Sequence, residues 1–300
     1  MIYTITFNPA LDYLMVLDKF KSGEVNRADK EYLHIGGKGI NVSTMLNELG
    51  AENVALGYVA GFTGKELVRQ LEERNIKTDF IELENGLTRL NVKIKADIES
   101  EINGSGPDIS KKDVEKLFKK LDGLQDGDTL VLAGSIPKTI NDDIYEVIME
   151  RLQNKDIKIV VDATKDLLLN VLSYKPFMIK PNHHELADLF NVKLNGDDDI
   201  VKYAKKLQEK GARNVLVSMA GDGAILVSEE NDVIKVGCPK GKVVNSVGAG
   251  DSMVAGFIAG YEKTNNYNDA LKYATASGSA SAFSESIAKK ELVEKLLKTI

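Results

Sequence analysis

From Ser110 onward, apolar residues alternate between two patterns. Continuous apolar runs of strand length fill positions 128–133, 157–161 and 215–219. Between these runs, apolar residues recur every three or four positions, which is the spacing of one helix face. Continuous apolar strands separated by helices are typical of a parallel sheet that is covered on both faces. This part of the sequence therefore predicts an α/β fold, a three-layer sandwich with a mostly parallel central sheet.

The other elements of this part follow from the same two spacings. Helical spacing predicts helices after Ser110 and at 141–152, 183–190, 197–210 and 269–300. Shorter apolar runs predict a strand at 177–179 and a hairpin made of 224–227 and 233–236. Small residues dominate positions 274–282, which permits a neighbouring helix or a flat ligand to approach closely.

The first third of the chain has more polar strands. The sequence Thr63-Gly-Lys-Glu66 resembles a capping box and predicts a helix from there to about Arg74. Between residues 87 and 101, apolar and polar side chains alternate, which leaves one face of a strand to solvent. We expect this stretch to pair with polar strands at 13–17 and 31–35. The prediction is one compact unit, residues 1–300, with a β lid formed by about 11–35 and 87–105.

Two glycine-rich loops, at 36–39 and 248–250, each open a predicted helix. The second loop, Gly248-Ala249-Gly250, joins a strand that ends at Val244 to a helix that opens near Asp251. Glycine allows unusual backbone dihedral angles and leaves room for an anion, so successive N–H groups can converge on a phosphate. The free N–H groups of the helix start add to that field. The turn is therefore a candidate anion site.

Asp251 has two interpretations at this point. A carboxylate beside an anion site repels the anion, so Asp251 is either an ordinary N-terminal cap or a base directed at the group that receives a phosphate. The turn alone does not decide between them.

Composition excludes several classes of protein. The chain is 43% apolar and 28% charged, with a net charge of −6, which argues against nucleic acid or an anionic membrane as partner. We expect a cytoplasmic protein, because the sequence has neither an apolar run of membrane-spanning length nor the pattern of a signal peptide. A single cysteine, Cys238, excludes a disulfide within the chain.

Common nucleotide-binding and metal-binding patterns are also missing. Neither Gly37-Lys38 nor Gly64-Lys65 belongs to a P-loop, and the first strand is not followed by the dinucleotide-binding glycine pattern. His183 and His184 are adjacent on a predicted helix, where side chains diverge by about 100°, so a zinc site is not expected there.

Three motifs together resemble the ribokinase or PfkB family of carbohydrate kinases. They are Gly36-Gly-Lys-Gly-Ile-Asn41, Lys180-Pro-Asn-x-x-Glu185 and Gly248-Ala-Gly-Asp251, in this order, and the resemblance covers essentially the whole chain. Within the family, the stretches 8–12, 23–27, 88–93, 101–107 and 278–284 most resemble members that phosphorylate fructose 1-phosphate. Kinases of tagatose 6-phosphate are the near neighbours.

The resemblance implies a ribokinase-like fold and the use of ATP and Mg²⁺. The expected reaction is phosphoryl transfer to a hydroxyl of a sugar phosphate, most simply fructose 1-phosphate to fructose 1,6-bisphosphate. In the turn that Gly248 opens, the N–H groups at Ala249, Gly250 and Asp251 would stabilise the moving phosphoryl group, and the Asp251 carboxylate would accept the proton of the hydroxyl. With the companion motifs in place, the base is preferred to the cap.

The acceptor needs cations for its phosphate and hydrogen-bonding groups for its hydroxyls. Arg27, Lys38 and Arg89 are candidates for the phosphate, since arginine makes bidentate contacts with phosphate oxygens. The alternative for each is a solvated charge on the lid. Asp12 and Asn41 are candidates for the hydroxyls, or are structural caps, and Gly37 belongs to the same loop.

The expected ATP-binding residues lie in the second half of the chain. The resemblance places Lys180, Asn182 and Glu185 near the triphosphate, with Glu185 acting on Mg²⁺ through water. The residues expected to border the nucleotide are Ser218, Gly221, Gly223, Val236 and Val243. One departure concerns Asn245, because many ribokinase relatives have an aspartate there that helps to bind a monovalent cation.

Several alternatives stay open. Tagatose-6-phosphate kinase and 6-phosphofructokinase are rival activities of the same family, and a non-catalytic sugar-phosphate sensor is a rival of another class. Family analogy also suggests a homodimer formed through the β lid.

Overall fold

A ten-stranded mixed sheet forms the centre of the protein. The structure is a computed structural model that describes residues 1–300, except for the side chain of Lys165. In chain order the strands are β1 (Ile2–Thr6), β2 (Ala10–Val16), β3 (Lys30–Gly36), β4 (Asn53–Ala60), β5 (Lys77–Thr78), β6 (Ile81–Leu83), β7 (Arg89–Lys95), β8 (Ser100–Asn103), β9 (Thr129–Ala133), β10 (Lys158–Asp162), β11 (Met178–Ile179), β12 (Asn214–Ser218), β13 (Ala224–Val227) and β14 (Val233–Val236).

The helices lie between these strands. In chain order they are α1 (Lys38–Glu48), α2 (Gly61–Glu73), α3 (Lys111–Leu121), α4 (Ile144–Leu152), α5 (Lys165–Asn170), α6 (His183–Phe190), α7 (Asp197–Glu209), α8 (Ala249–Thr264), α9 (Tyr267–Ala282) and α10 (Lys290–Leu297). None of them combines the length and the apolar character needed to cross a lipid bilayer, within the residues that the structure describes.

The central sheet has the order β14-β13-β12-β11-β10-β9-β1-β4-β5, with β6 also paired to β4. The strands from β12 to β5 run parallel, and β13 and β14 add an antiparallel edge. Because parallel strands end at one edge of the sheet, the segments after β1, β9, β10, β11 and β12 come together. That edge carries the candidate site.

Both faces of the sheet are buried, which explains the continuous apolar runs. Along β9, Leu130 and Leu132 pack in one core with α3 and α4, whereas Val131 packs in the other core with α1, α8 and α9. Each of these three side chains is fully buried. A strand with a helix layer on each face needs apolar residues at every position.

A second sheet, with the order β3-β2-β7-β8, contains the alternating strands. Strand β2 is antiparallel to β3 and parallel to β7, so the 87–101 stretch pairs with the first polar strand as predicted. It does not pair with the second, because the other neighbour of β7 is β8. Leu11 and Ile35 at one end of this sheet pack with Leu67 and Leu71 of α2 in a small third core. The opposite face carries the polar residues Asp12, Asn91 and Lys93.

Some predicted boundaries were wrong. The predicted capping box at Thr63 does not form: α2 begins at Gly61 without a side-chain cap, and the Thr63 hydroxyl instead donates to the Thr88 carbonyl at 2.8 Å. The stretch 269–300 contains two helices, α9 and α10, separated by a loop. Helix α4 begins at Ile144, three residues later than expected, and α8 begins at Ala249, ahead of Asp251.

Candidate active site

A cavity of about 600 Å³ lies between the strand ends of the central sheet and the polar face of the second sheet. We call it the lid cavity. It brings together residues from both halves of the chain, including Asp12, Gly37, Lys38, Asn41, Arg89, Asn91, Lys93, Lys180, Asn182, Glu185, Ser218, Gly248, Gly250 and Asp251. All three family-like motifs of the sequence therefore meet in one place.

The turn before α8 presents free backbone donors to this cavity. Gly248 has a φ of 80°, in the left-handed region that glycine tolerates, and serves as the N-cap of α8. Ala249 N–H is occupied, because it donates to the Ser246 carbonyl at 3.3 Å. Among the described residues, Gly250 N–H and Asp251 N–H have no backbone acceptor. Of the three N–H groups expected to be available, at Ala249, Gly250 and Asp251, two are therefore free.

Two hydrogen bonds hold the segment before the turn against the end of α9. Val244 N–H and Asn245 N–H both donate to the Ala282 carbonyl, at 2.8 and 3.2 Å. The Asn245 side chain adds a third contact, since its amide nitrogen donates to the Glu285 carbonyl at 3.0 Å. Its oxygen accepts from Val247 N–H at 3.0 Å. The Asn245 side-chain amide has both a donor and an acceptor, so it connects the segment before the turn to the loop after α9.

Asp251 is buried in the first turn of α8, with 5% of its surface exposed. One carboxylate oxygen accepts a hydrogen bond from the Asn41 amide nitrogen at 2.7 Å. The other oxygen lies 3.8 Å from the Lys38 ammonium. Burial raises the pKa of Asp251 above its usual 3.8, although Lys38 opposes that shift. A buried carboxylate with a raised pKa is suited to accept a proton.

Asp162 is the most important site residue that the sequence patterns did not reveal. It ends β10, is 2% exposed, and lies 2.8 Å from the Lys38 ammonium and 3.5 Å from the Lys180 ammonium. Burial alone would raise the pKa of its carboxyl, but Lys180 and Lys38 outweigh burial and hold that pKa below 3.8. The pKa of Lys38 is raised above 10.5 despite its burial, by the charges of Asp162 and Asp251. Asp162 therefore keeps Lys38 protonated and pairs with both ammonium groups.

The opposite wall of the cavity comes from the second sheet. Asp12 on β2 accepts a hydrogen bond from the Asn91 amide nitrogen at 2.8 Å, and its other oxygen lies 3.3 Å from the Lys93 ammonium. Asn91 and Lys93 were not among the predicted site residues. Their alternating polar positions on β7 gave the signal of a solvated face, but that face points into the cavity.

A neighbouring cavity of about 590 Å³, which we call the strand-end cavity, lies over the ends of β1, β9 and β10. It shares Gly37, Lys38 and Arg89 with the lid cavity. Arg89 is half-buried, and its Nε is a buried donor without an acceptor among the described residues. Burial lowers the pKa of Arg89 from 12.5, while Asp12 opposes the shift. An unpaired buried guanidinium between two cavities is suited to bind an anion.

Six predicted residues do not line the lid cavity: Arg27, Gly221, Gly223, Val236, Val243 and Ala249. Arg27 is exposed in the loop before β3 and lines neither of the two cavities. Gly221, Gly223 and Val243 are near the end of β12 and before the turn, but do not line the lid cavity.

Val236 lines a third cavity, of about 1040 Å³, between the loop after β14 and helices α9 and α10. We call it the lysine cavity, because its lining includes Lys235, Lys240, Lys242, Lys272 and Lys295. Its apolar wall includes Val244, which belongs to the segment that leads into the anion turn.

Glu185 and Asn182 form the capping box that opens α6. The Asn182 side chain accepts from Glu185 N–H at 2.8 Å, and one Glu185 oxygen accepts from Asn182 N–H at 2.8 Å. The second Glu185 oxygen has no hydrogen-bond partner in the described part of the chain. No cluster of three or more metal-ligating side chains occurs among the described residues. This arrangement suits Mg²⁺, which is bound through few carboxylates, several waters and substrate phosphates.

Comparison with known proteins agrees with these motifs. Residues 6–291 match the family described as "pfkB family carbohydrate kinase". The chain is 46% identical over 297 residues to a "1-phosphofructokinase" from Bacillus subtilis (strain 168), covering 99% of this chain and 97% of the relative. It is 38% identical over 288 residues to a "D-tagatose-1-phosphate kinase" from Bacillus licheniformis, covering 96% and 94%.

Solved structures show the same architecture. Phosphofructokinase-2 from Escherichia coli, in complex with substrates and products, superposes with a TM-score of 0.93 at 26% identity, covering 99% of this chain and 98% of the other. Ribokinase from Arabidopsis thaliana, complexed with ribose and ATP, superposes with a TM-score of 0.81 at 20% identity, covering 99% and 98%. The predicted ribokinase-like fold is confirmed.

We predict that Asp162→Asn lowers the free energy of unfolding by about 3 kcal/mol, because two lysines lose their buried counter-charge. The folded-state pKa of Asp162 lies below 3.8, so its contribution is present above pH 3.8 and is lost as the pH falls through the lower folded value. Urea unfolding at pH 7 measures the change. Asp122→Asn is the control, since its ion pair with Arg151 is exposed to solvent and therefore weakened by screening. Equal losses in both variants would contradict the assignment.

Proposed function

Because this chain belongs to the PfkB family of carbohydrate kinases, we propose that it transfers the terminal phosphoryl group of ATP to fructose 1-phosphate, giving fructose 1,6-bisphosphate. Members of this family are phosphotransferases that act on an alcohol group. The observation that carries the proposal is the pairing of free N–H groups with a buried carboxylate in the first turn of α8. The 46% identity to a 1-phosphofructokinase supports the choice of acceptor.

The turn has two functions in the reaction: its N–H groups act on the phosphoryl group that is transferred, and Asp251 acts on the hydroxyl that receives it. In the reaction, a bond forms between the acceptor oxygen and the γ-phosphorus, while the bond to the β,γ-bridging oxygen breaks. Asp251 accepts the proton of the attacking hydroxyl, and Gly250 N–H and Asp251 N–H stabilise the charge on the moving group. Gly248 shapes the turn through its φ of 80°, and Ala249 N–H is already bonded to the Ser246 carbonyl.

Lys38 connects the base to the acceptor side. Its ammonium lies 2.8 Å from Asp162 and 3.8 Å from Asp251, and its side chain lines both the lid and strand-end cavities. A fixed cation here neutralises part of the charge that approaches Asp251 when ATP and a sugar phosphate bind together. Lys180 performs the same task on the ATP side, where its ammonium lies close to Gly250.

We assign the phosphate of the acceptor to Arg89, whose buried Nε lacks an acceptor. Asp12 and Asn41 line the lid cavity between Arg89 and the anion turn, where hydroxyls of a bound sugar would lie. Arg27 stays a prediction without support from the geometry, because it is exposed outside the cavities.

ATP is assigned to the side of the turn that lies away from Arg89 and Asp12. Its phosphates are expected near Lys180, Asn182 and Ser218, which line the lid cavity. We place its adenosine beyond Val247, toward the small residues of α9 and the lysine cavity that includes Val236. Gly221, Gly223 and Val243 would then border the path between the two cavities. When Mg²⁺ is bound, it neutralises the phosphate oxygens of ATP, and the free oxygen of Glu185 holds one of its waters.

A tagatose phosphate is the second candidate acceptor. The 38% identical relative from Bacillus licheniformis is named for that substrate class, and it aligns over nearly the whole chain. Fructose and tagatose phosphates differ in the orientation of one hydroxyl, so the same cations and the same base would serve both. A non-catalytic sensor is disfavoured, because Asp251 and Glu185 are both present in the cavity.

The second sheet is proposed as a lid that also forms a homodimer. Its outer face exposes Leu33, Leu90 and Ile102, with 39%, 42% and 64% of their surfaces accessible. Leu33 and Ile102 belong to one cross-strand row, in which they flank Tyr13 and Val92. A second copy of the chain would cover this apolar face.

Dependence on ATP also favours the cytoplasmic location that the sequence suggested.

We predict ADP release with fructose 1-phosphate in a coupled assay, at a higher kcat/KM than with tagatose 6-phosphate, fructose 6-phosphate or the free sugars. Asp251→Asn should lower kcat by about 100-fold to 10,000-fold while ATP still binds, because only proton transfer is lost. In the wild-type protein, activity should fall as the pH drops through a pKa above 3.8, since the base must be ionised. Turnover by Asp251→Asn within a factor of two of the wild type would refute the base.

We predict that Arg89→Ala raises the KM for the sugar phosphate by about 10-fold to 100-fold, because a charge-assisted hydrogen bond to phosphate is lost. The KM for ATP should not change. Lys95→Ala is the matched control, as Lys95 is an exposed residue of the same strand. An equal KM in wild type and Arg89→Ala would exclude the phosphate contact.

We predict that Ile102→Glu converts a dimer into a monomer in light scattering, because a carboxylate cannot be buried unpaired in an apolar interface. Val233→Glu provides the comparison, since Val233 is 46% exposed on the far edge of the central sheet. If the wild-type protein is already a monomer, or if Ile102→Glu remains a dimer, the lid is not the interface.

A further inference from the structure

Asp12 is held from two sides by residues that the sequence motifs do not assign. The Asn91 amide nitrogen donates to one carboxylate oxygen at 2.8 Å, and the Lys93 ammonium lies 3.3 Å from the other. Each oxygen of Asp12 thus has its own partner, and both partners come from the neighbouring strand β7. A carboxylate with a donor on each oxygen has little freedom to rotate.

The register of the second sheet explains this arrangement. Strands β2 and β7 are parallel, with Asp12 opposite Asn91 and Leu14 opposite Lys93. Residues two apart on a strand share a face, so Asn91 and Lys93 flank the Asp12 carboxylate on the side of the lid cavity. All three residues line that cavity.

Two further contacts define the setting of this group. At Gly36, directly beside Asp12, a Cβ atom would lie 2.8 Å from a carboxylate oxygen, so only glycine leaves room for it there. Lys93 also lies 4.0 Å from Glu101 on β8, and its side chain is 25% exposed. Asn91 is 6% exposed. The Asp12 carboxylate is therefore confined by Gly36 of β3 and by Asn91 and Lys93 of β7. Strand β8 contributes indirectly, because its Glu101 lies near Lys93.

We propose that Asn91 and Lys93 are positioning residues for the sugar acceptor, which they serve by fixing the Asp12 carboxylate in the orientation that receives the acceptor hydroxyls. The inference rests on the proposed function, in which Asp12 binds the sugar. A fixed carboxylate loses less conformational entropy on binding than a rotating one, so the acceptor binds more tightly. Because ATP binds at the far side of the turn, its KM does not depend on this pair.

A positioning role for Lys93 can be distinguished by experiment from a direct contact between Lys93 and the acceptor. If Lys93 acts only through Asp12, its removal has no further effect once the Asp12 carboxylate is gone. A direct contact between Lys93 and the acceptor phosphate would give the opposite result, since its effect would persist without Asp12. The two possibilities separate in a double-mutant cycle.

The experiment measures kcat/KM for the best acceptor in wild type, Lys93→Met, Asp12→Asn and the double variant. We expect Lys93→Met to raise the acceptor KM about tenfold and Asp12→Asn to raise it further, with the double variant within about threefold of Asp12→Asn. Lys93→Arg should recover part of the loss, and the KM for ATP should stay constant throughout. Asn91→Ser is the parallel test of the second donor. Lys95→Met, an exposed change on the same strand, is the control.

Three outcomes would overturn the assignment. They are an unchanged acceptor KM in Lys93→Met, independent effects of Lys93→Met and Asp12→Asn, and an equal rise in the KM for ATP. Because Lys93 is partly exposed, Lys93→Met should fold, and a melting temperature within a few degrees of the wild type verifies this. If the wild-type protein turns over no sugar phosphate, the proposed function itself fails, which is distinguishable from a failure of the cycle in an active enzyme.

Discussion

Asp162 holds two ammonium groups at the carboxyl end of the central sheet, and the geometry of the cavity depends on that contact. Without a counter-charge, Lys38 and Lys180 would repel each other, and a buried lysine would lose its proton rather than remain unpaired. Asp162 pairs with both ammonium groups, of which that of Lys38 lies near Asp251 and that of Lys180 near Gly250. The chain thereby prepares a positive environment for two phosphorylated ligands, although its net charge is −6.

The fold supplies this cluster through the order of its strands. Strands β10 and β11 are adjacent and parallel, so Asp162, which ends β10, and Lys180, which directly follows β11, lie at the same edge of the sheet. Helix α1 begins where the glycine-rich loop passes close to β1, which brings Lys38 to the same edge. Helix α8 comes much later in the sequence, and its first turn contributes Asp251 to the same cavity. Asp162 pairs with both ammonium groups and Asn41 holds the Asp251 carboxylate, so the charges need little rearrangement when ligands bind.

Much of this arrangement could be predicted from the sequence, because several features are local. The continuous apolar runs gave the parallel sheet, and the motifs around Lys38, Glu185 and Asp251 gave residues that the structure brings into one cavity. Asp162 could not be found in the same way. It follows an apolar strand as any turn residue might, and its significance arises only from the order of strands that are distant in sequence. Asn91 and Lys93 were missed for a related reason, because alternation shows that one face is polar but not what that face meets.

The contact between Asn41 and Asp251 joins residues that are 210 positions apart. Contacts of such long range form only after the intervening chain has been organised. During synthesis, all of the strands and the helices before α8 are therefore made before Asp251 can meet Asn41. A chain that ends before α8 therefore lacks both the Asp251 carboxylate and the free N–H groups of the turn.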